Sequence, residues 1–413
     1  MIHSPPSTFH LPMSSPDITA VEIEAVNQVL QTRYLSLGPR IDEFEERFAA
    51  YVGAQHAIGV SSGTTGLHLC VIAAGVGEGD LVITTPFSFI ASANCILYER
   101  AVPVFVDVDP ATGNIDPVLV TAAADDLARG GDAAKRWLPP TLRHQPLALS
   151  RAEGSAIGHQ LSAILPVHAF GQPADMDLIL DVARKYSLAV IEDACEALGA
   201  EYKGRKAGTL GDAAVFAFYP NKQMTTGEGG MIVTDNAEWA NLFRSLSNQG
   251  RDVFDAWLNH TRLGYNYRLD EMSAVLGLVQ IQRIEELLAK RERVAGWYNE
   301  RLADLELIER PYIAPTTTRM SWFVYVVRIK PPAGRDEVLR RLTEVSIPSR
   351  PYFTPIHLQP FYREKFGYRR GDFPITEHLG DVSLALPFSS VMPEDQVDQV
   401  CDRLQAAVAA AHR

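Results

Sequence analysis

Three consecutive segments decide the fold: SAILPVHAF (residues 162–170), DMDLILDVARKY (175–186) and LAVIEDA (188–194). The first and third are short apolar runs that predict buried strands, and the second has the apolar spacing of an amphipathic helix. A strand, a helix and a strand in this order indicate a β-α-β unit with parallel strands. The three segments therefore predict an α/β fold that binds its ligand at the carboxyl ends of the strands.

Similar apolar runs recur on both sides of this unit. Further strands are predicted at residues 57–62, 81–86, 102–109, 213–218 and 229–235. Strands that are apolar throughout are buried on both faces, so the sheet is predicted to be mainly parallel and flanked by helices. At about residues 128–160 the alternation stops. Two adjacent prolines, several arginines and few apolar residues there predict an inserted loop.

The pattern changes near residue 255. A long helix is predicted from about residue 270 to 305, followed by an alternating strand at 321–329 and an amphipathic closing helix. A chain of 413 residues is too long for one simple core. We therefore predict a large domain at residues 1–254 and a smaller α+β domain at residues 255–413.

Composition excludes several classes of function. The chain has 38 Lys and Arg against 50 Asp and Glu, a net charge of −12, which argues against nucleic-acid binding. No apolar run is long enough to span a membrane, and the amino terminus lacks the pattern of a secretory signal. The four cysteines are scattered, and the histidines lack the spacing of metal ligands. These features predict a cytoplasmic protein with no metal site.

Two polar features follow predicted strands in the first half of the chain. Asp193 ends the strand LAVIEDA, where its carboxylate could meet a ligand cation or cap a helix; position alone does not decide between the two. SSGTTG (residues 61–66) lies between a strand and a helix. Its backbone N–H groups and hydroxyls suit a phosphate, although the same residues also serve as ordinary helix caps.

Three further candidates complete a possible site. Lys222 follows the strand in FAFYPNKQMTTGEGG (216–230) and could act as an amine nucleophile, although most lysines are simply solvated. Phe87 and Phe89 could stack on a flat ring or pack in the core. Together, an anion cradle, a strand-end carboxylate, a lysine and an aromatic wall are what a phosphorylated pyridine aldehyde requires.

At these residues the chain resembles the DegT/DnrJ/EryC1/StrS family of sugar aminotransferases, which depend on pyridoxal 5′-phosphate (PLP). The resemblance rests on five motifs in the family's order: SSGTTGLHL, TTPFSFIASAN, VIEDACEALGA, YPNKQMTTGEGGMI and GYNYRLDEMSAVLGLVQI. It extends from about Asp17 to the carboxyl terminus, without the 128–160 insertion. It implies the fold-type I aminotransferase architecture, with a mainly parallel sheet flanked by helices and a smaller α+β carboxyl-terminal domain.

The resemblance also implies roles for individual residues. Lys222 is similar to the lysine that forms a Schiff base with PLP and shuttles the proton, and Asp193 to the aspartate that pairs with the pyridinium nitrogen. Gly63 and Thr64 match the backbone that binds the phosphate. Phe89 matches the aromatic residue that stacks on the ring.

The resemblance implies two further roles, for residues in the second half of the chain. Asn266 resembles the asparagine that reaches the phosphate of the partner subunit's cofactor, which implies a homodimer with shared active sites. His357 falls in a region that often approaches substrate in the family. Two residues depart from the pattern: Glu196 stands near the cofactor's ring hydroxyl where many relatives have Gln or His, and Ala217 stands where many have a phosphate-binding serine.

The expected reaction is transfer of an amino group from an amino acid, commonly L-glutamate, to a keto sugar that is usually nucleotide-linked. An aminotransferase for a keto-cyclitol (inosose) would have nearly the same sequence and stays open as the alternative. A PLP-dependent sugar dehydratase is disfavoured by Lys222, because such enzymes have His there. A non-catalytic sensor of PLP or a nucleotide sugar is disfavoured by the intact Lys222 and Asp193. A nucleotide-sugar dehydrogenase is disfavoured because no GxGxxG motif follows a strand.

Overall fold

The computed structural model describes residues 11–143, 160–252 and 259–411. The α-helices of these residues are α1 (Ala20–Leu30), α2 (Pro39–Val52), α3 (Gly63–Ala73), α4 (Ala91–Tyr98), α5 (Pro117–Arg129), α6 (Gly131–Lys135), α7 (Met176–Tyr186), α8 (Ala237–Ser247), α9 (Glu271–Gln282), α10 (Ile284–Arg301), α11 (Arg335–Glu344), α12 (Pro360–Phe366), α13 (Pro374–Val382) and α14 (Glu394–Ala411). None of these helices is both long and apolar enough to cross a membrane.

The strands form three sheets. Their bounds are β1 (His56–Val60), β2 (Leu81–Thr84), β3 (Val102–Phe105), β4 (Leu161–Ile164), β5 (Ala189–Asp193), β6 (Glu201–Tyr202), β7 (Arg205–Lys206), β8 (Ala213–Ala217), β9 (Gly230–Thr234), β10 (Ile308–Glu309), β11 (Thr317–Arg319), β12 (Tyr325–Ile329), β13 (Arg350–Pro351) and β14 (Ser383–Leu386).

The central sheet has seven strands in the order β1-β9-β8-β5-β4-β2-β3. Strands β8, β5, β4, β2 and β3 pair in parallel, and β9 runs antiparallel to both of its neighbours, β1 and β8. The predicted α/β fold with a mainly parallel sheet is therefore confirmed. Because the parallel strands all end at one edge, the polar residues that follow them are brought together there.

Helices cover both faces of this sheet. On one face, α3, α4 and α8 pack against the strands and enclose Leu67, Ile96 and Phe243. On the other, α5 and α7 enclose a second cluster, and α2 and α9 enclose a third around Phe44 and Phe48. With both faces covered, the strands have the continuous apolar sequences from which they were predicted.

The long helix predicted over residues 270–305 is wrong in one respect, because it is two helices. It breaks at Arg283, which leaves helical geometry with φ −103° and ψ 7°. The Arg283 side chain there forms ion pairs with Asp17, Glu22 and Glu286. Helix α9 is almost wholly buried against the large sheet, whereas α10 starts in that core and ends in the next one.

The smaller sheet, in the order β10-β12-β14-β13, builds the second core with α10, α11 and α14. Leu287 on α10 packs in the core beneath the large sheet, whereas Val294 and Tyr298 on the same helix pack in the smaller core. The transition between the two cores therefore runs along α10. The predicted boundary at residues 254–255 stays a prediction.

The predicted inserted loop at residues 128–160 begins in helical structure. Helix α5 continues to Arg129, α6 follows at once, and a short 3-10 helix spans Pro140–Leu142. Asp126 holds this segment together, because its carboxylate accepts hydrogen bonds from Arg129 and from the Trp137 ring N–H, each at 2.9 Å. The rest of the prediction, residues 144–159, lies outside the described residues.

Two helical glycines differ in the space around them, and this difference predicts opposite effects of the same substitution. A Cβ at Gly277 on α9 would lie 2.6 Å from the Phe44 ring and 2.9 Å from Thr226, whereas a Cβ at Gly296 on α10 meets nothing within 4 Å. We expect Gly277→Ala to lower the free energy of unfolding by about 1–3 kcal/mol through overpacking. Gly296→Ala should raise it by up to about 1 kcal/mol through helix propensity. Urea unfolding of both variants measures this, and a stabilised Gly277→Ala would contradict the packing described here.

Candidate active site

A cavity of about 720 Å³ lies at the carboxyl edge of the central sheet. It is lined by six of the residues that the sequence singled out: Gly63, Thr64, Phe89, Asp193, Glu196 and Lys222. They come from segments that follow β1, β2, β5 and β8, and thus from distant parts of the chain. The topology of the sheet brings them together.

Asp193 is the last residue of β5 and its side chain is buried beside the cavity. One carboxylate oxygen accepts a hydrogen bond from the backbone N–H of Cys195 at 3.1 Å. Burial raises the pKa of Asp193, and the charge of Lys222 partly opposes that shift. The carboxylate keeps accepting capacity for a cationic or N–H group of a ligand in the cavity.

Lys222 lies on the loop that joins β8 to β9. Its backbone N–H donates to the carbonyl of Tyr219 at 2.9 Å, and its side chain is only 13% exposed. The amine lies 3.5 Å from an oxygen of Glu196 and 3.9 Å from the centre of the Phe323 ring. The amine is thus shielded from water by an aromatic ring and held next to a carboxylate.

Glu196 lines the cavity next to the Lys222 amine. Its second carboxylate oxygen accepts the backbone N–H of Phe170 at 2.9 Å. Burial raises the pKa of Glu196 above its ordinary value, while the neighbouring Lys222 acts in the opposite direction.

The amino-terminal turn of α3 forms another wall. Ser62 caps the helix: its hydroxyl accepts the N–H of Thr65 at 3.2 Å, and the Thr65 hydroxyl in turn accepts the N–H of Ser62 at 3.1 Å. Gly63 follows, and a Cβ there would lie 2.8 Å from Ala217 and from the Cys195 sulfur. Only glycine permits this close approach, which brings the first N–H groups of the helix to the cavity.

The two candidate aromatic residues after β2 have different environments. Phe87 is buried and packs edge-to-face against Phe170 and Phe353, with ring centres 6.0 and 5.6 Å away. Phe89 is 64% exposed and lines the cavity. Phe87 is therefore a core residue, and Phe89 has a ring face available to a ligand.

Two predicted site residues do not line this cavity. Asn266 is exposed on a strand segment that pairs with Asn248. His357 is buried, and its Nε2 lies 3.0 Å from a carboxylate oxygen of Glu377. Both proposed roles stay predictions. Among the described residues, no group of three or more His, Cys, Asp or Glu side chains is arranged to hold a metal ion.

Sequence reasoning missed the contribution of segments after residue 320 to the cavity. Phe323 covers the Lys222 amine, and Tyr352, Thr354 and Gln359 also line the cavity. Phe323 lies in the segment that was predicted only as an alternating strand, and nothing in its sequence distinguishes it from a core residue. Gln359 could have been predicted from the sequence, because it lies two residues after His357 in the segment noted for its approach to substrate.

The chain is similar to known proteins over almost its whole length. The model of the "DegT/DnrJ/EryC1/StrS aminotransferase family" matches residues 16–129 and 146–405. Residues 146–160, which were predicted to lie in the insertion, are thus part of the match. The chain is 39% identical to GDP-perosamine synthase of Caulobacter vibrioides over 94% of this chain and 95% of the relative. It is 35% identical to the spore coat polysaccharide biosynthesis protein SpsC of Bacillus subtilis over 97% and 98%.

A solved structure gives the same result for the fold. The crystal structure of DesV from S. venezuelae superposes with a TM-score of 0.82 at 30% identity, covering 98% of this chain and all of that one. The crystal structure of a DegT DnrJ EryC1 StrS aminotransferase from Brucella abortus superposes with a TM-score of 0.80 at 28% identity, covering 94% of this chain and 95% of that one. The architecture described above is therefore that of a known aminotransferase structure.

The environments of two glutamates predict opposite responses to neutralisation. Because the folded chain binds the Glu196 proton more tightly than the unfolded chain does, ionisation of Glu196 costs stability as the pH rises above about 4.5. We expect Glu196→Gln to be more stable than the wild type at pH 8, and we expect this gain in stability to be smaller at pH 5. Urea unfolding of the cofactor-free protein at both pH values measures the difference.

Glu192 is the matched control. Its buried carboxylate accepts hydrogen bonds from His168 at 2.8 Å and from the N–H groups of Gly208, Leu210 and Gly211. Burial alone would raise the pKa of Glu192, but these hydrogen bonds lower it below 4.5. The ionised Glu192 therefore contributes to the free energy of unfolding at neutral pH, and this contribution is lost only as the pH falls through the lowered pKa. Glu192→Gln should cost about 3 kcal/mol at both pH 5 and pH 8. If Glu196→Gln also loses stability at both pH values, the two glutamates do not differ in the way described here.

Proposed function

The chain belongs to the DegT/DnrJ/EryC1/StrS aminotransferase family, and we propose that it transfers an amino group from L-glutamate to the ketone of a nucleotide-linked sugar. The proposal rests chiefly on one observation, the shielded amine of Lys222 in a cavity that also contains the strand-end carboxylate of Asp193. An amine and a carboxylate at these positions are what transamination requires.

The cavity fits PLP, the cofactor of this family. Gly63 and Thr64, the first two residues of α3, line the cavity, and their backbone N–H groups are available to a phosphate in this proposal. Asp193 is available to the ring nitrogen, Phe89 to a face of the ring, and the Lys222 amine to the aldehyde. When bound, the cofactor supplies an electron sink for the carbon that loses its proton. Thr64 and Tyr219, which also line the cavity, compensate in this proposal for the missing serine at Ala217.

Lys222 is proposed to carry the proton. Once its amine is free, it can remove a proton from the carbon that bears the amino group and return it to a neighbouring atom. The Phe323 ring, 3.9 Å from the amine, excludes water from this transfer. Glu196, 3.5 Å from the amine, fixes its orientation and balances its charge.

A nucleotide-linked sugar is the favoured acceptor because of the relatives. One is named GDP-perosamine synthase and another is a spore coat polysaccharide biosynthesis protein. A sugar carried by a nucleoside diphosphate is consistent with both names. The keto-cyclitol alternative requires the same catalytic residues, so only a comparison of acceptors separates the two. A panel of nucleotide-linked keto sugars, GDP-linked ones first, and inososes makes that comparison.

A variant series tests the catalytic assignment. Wild-type protein with PLP should show an absorbance band of the lysine-bound cofactor that bleaches when L-glutamate is added. Lys222→Ala should lack that band and lose turnover by a factor of about 10⁶, while its circular dichroism spectrum shows that the fold is intact. Asp193→Asn should form the band but bleach at least about 100-fold more slowly. Substantial turnover by Lys222→Ala would overturn the assignment, and a band that no amino acid changes would favour the sensor.

The active site is proposed to be shared between two copies of the chain. Asn266 is exposed and does not line its own cavity, and its neighbour Leu263 is 87% exposed, which suits a contact with a second copy. In such a homodimer, Asn266 would reach the phosphate of the partner's cofactor. A single chain would then hold an incomplete site.

Mixing two inactive variants tests the sharing. Lys222→Ala and Asn266→Ala dimers should each be impaired, but a mixed dimer combines one intact Lys222 with one intact Asn266 in the same site. After random exchange of subunits, activity should rise to about a quarter of the wild-type value. Mixed samples no more active than the average of the two parents would contradict a shared site. Light scattering on the same samples confirms the oligomeric state.

A further inference from the structure

Arg291 on α10 is a buried cation with an unusual set of partners. Its side chain is 1% exposed, and no acidic side chain of the described residues pairs with it. Burial lowers its pKa to about 10, which leaves the guanidinium charged at neutral pH. Burying a charge without a counter-ion is strongly unfavourable. The contacts of the guanidinium must offset much of this cost.

Those contacts are four backbone carbonyls from two separate segments. The Nη1 nitrogen donates to the carbonyls of Trp322 at 3.2 Å and Phe323 at 3.1 Å. The Nη2 nitrogen donates to the carbonyls of Asn221 at 3.1 Å and Lys222 at 2.5 Å. The planar guanidinium thus ties the loop that contains the site lysine to the segment whose aromatic ring covers the lysine amine.

Neither segment is fixed by a sheet. Strand β8 ends at Ala217 and β12 begins at Tyr325, so both carbonyl pairs lie outside regular structure. Trp322 adopts a positive φ of 52°, a left-handed conformation that costs energy for a residue other than glycine. Such a conformation persists only where the surroundings hold it, and Arg291 binds its carbonyl directly.

We propose that Arg291 is a positioning residue of the active site, which fixes the backbone of Lys222 and Phe323 so that the amine stays under the ring and beside Glu196. The role in transamination rests on the function proposed above. The requirement is for a guanidinium, because its fork of donors reaches two carbonyls on each side. A lysine ammonium is a point charge with a different reach and cannot join both pairs.

Three variants separate this role from a general effect on folding. Arg291→Lys keeps the charge, and Arg291→Met removes it while keeping an unbranched chain. Arg293→Met is the matched control, because Arg293 is exposed two residues further along the same helix and stacks on Trp297. Each variant is examined by hydrogen exchange without cofactor, and then, with PLP bound, by the single-turnover rate of bleaching with L-glutamate.

In Arg291→Lys, we expect faster hydrogen exchange that is confined to residues 219–223 and 321–323. Two amides report on these segments: the Lys222 N–H, which donates to the Tyr219 carbonyl, and the Phe323 N–H, which donates to the Phe170 carbonyl. The bleaching rate should fall about 100-fold, because small displacements of a reacting group are costly, while the glutamate concentration for half-maximal rate stays within about twofold. Arg293→Met should match the wild type in every measurement.

Other outcomes overturn the proposal. If Arg291→Lys exchanges and bleaches as the wild type does, Arg291 does not position the site. If exchange accelerates throughout the chain in both Arg291 variants, the role is general stability. A wild type that forms no band, or whose band ignores glutamate, refutes the proposed function instead, and the hydrogen-exchange pattern still decides whether Arg291 fixes the two segments.

Discussion

The structure depends on keeping one amine and two carboxyl groups together in a place with little water. Asp193, Glu196 and Lys222 are each largely buried, and the charge of the single amine opposes the rise in pKa that burial imposes on both acids. Such a cluster is costly unless each group is held where the others need it. The edge of the parallel sheet supplies the two acids and the lysine, and Phe323, just before β12 of the smaller sheet, supplies the aromatic cover.

How much of this site could be predicted from sequence follows from the range of the interactions. Gly63, Asp193 and Lys222 each lie within a few residues of a strand end, so a local motif was enough to identify them. Phe323 lies about a hundred residues after Lys222 and reaches the amine only through tertiary packing, for which the sequence has no local signal. The break at Arg283 was missed as well, and the side chain at the break forms ion pairs with Asp17 and Glu22, far away in the chain.

Two glutamates four residues apart show a further limit of sequence reasoning. Glu192 and Glu196 lie in the same segment and are both buried, yet the pKa of the first is lowered and that of the second is raised. The difference comes from the number of donors: several N–H groups and His168 surround Glu192, whereas Glu196 accepts one backbone N–H and faces Lys222. Identical side chains thus become a rigid structural anchor in one case and a proton-sensitive neighbour of the amine in the other.

The antiparallel strand β9 has a consequence for how the chain reaches this structure. Since β8 and β9 are adjacent antiparallel strands, the Lys222 loop is the connection of a hairpin, and the contacts that shape it are close in sequence. Pairing β9 with β1 instead joins Val60 to Gly230 and must close a very long loop. Contacts of low sequence separation form sooner than distant ones. The lysine loop can therefore take shape early in folding, whereas the turn at Gly63 meets it only when the pairing of β1 with β9 is complete.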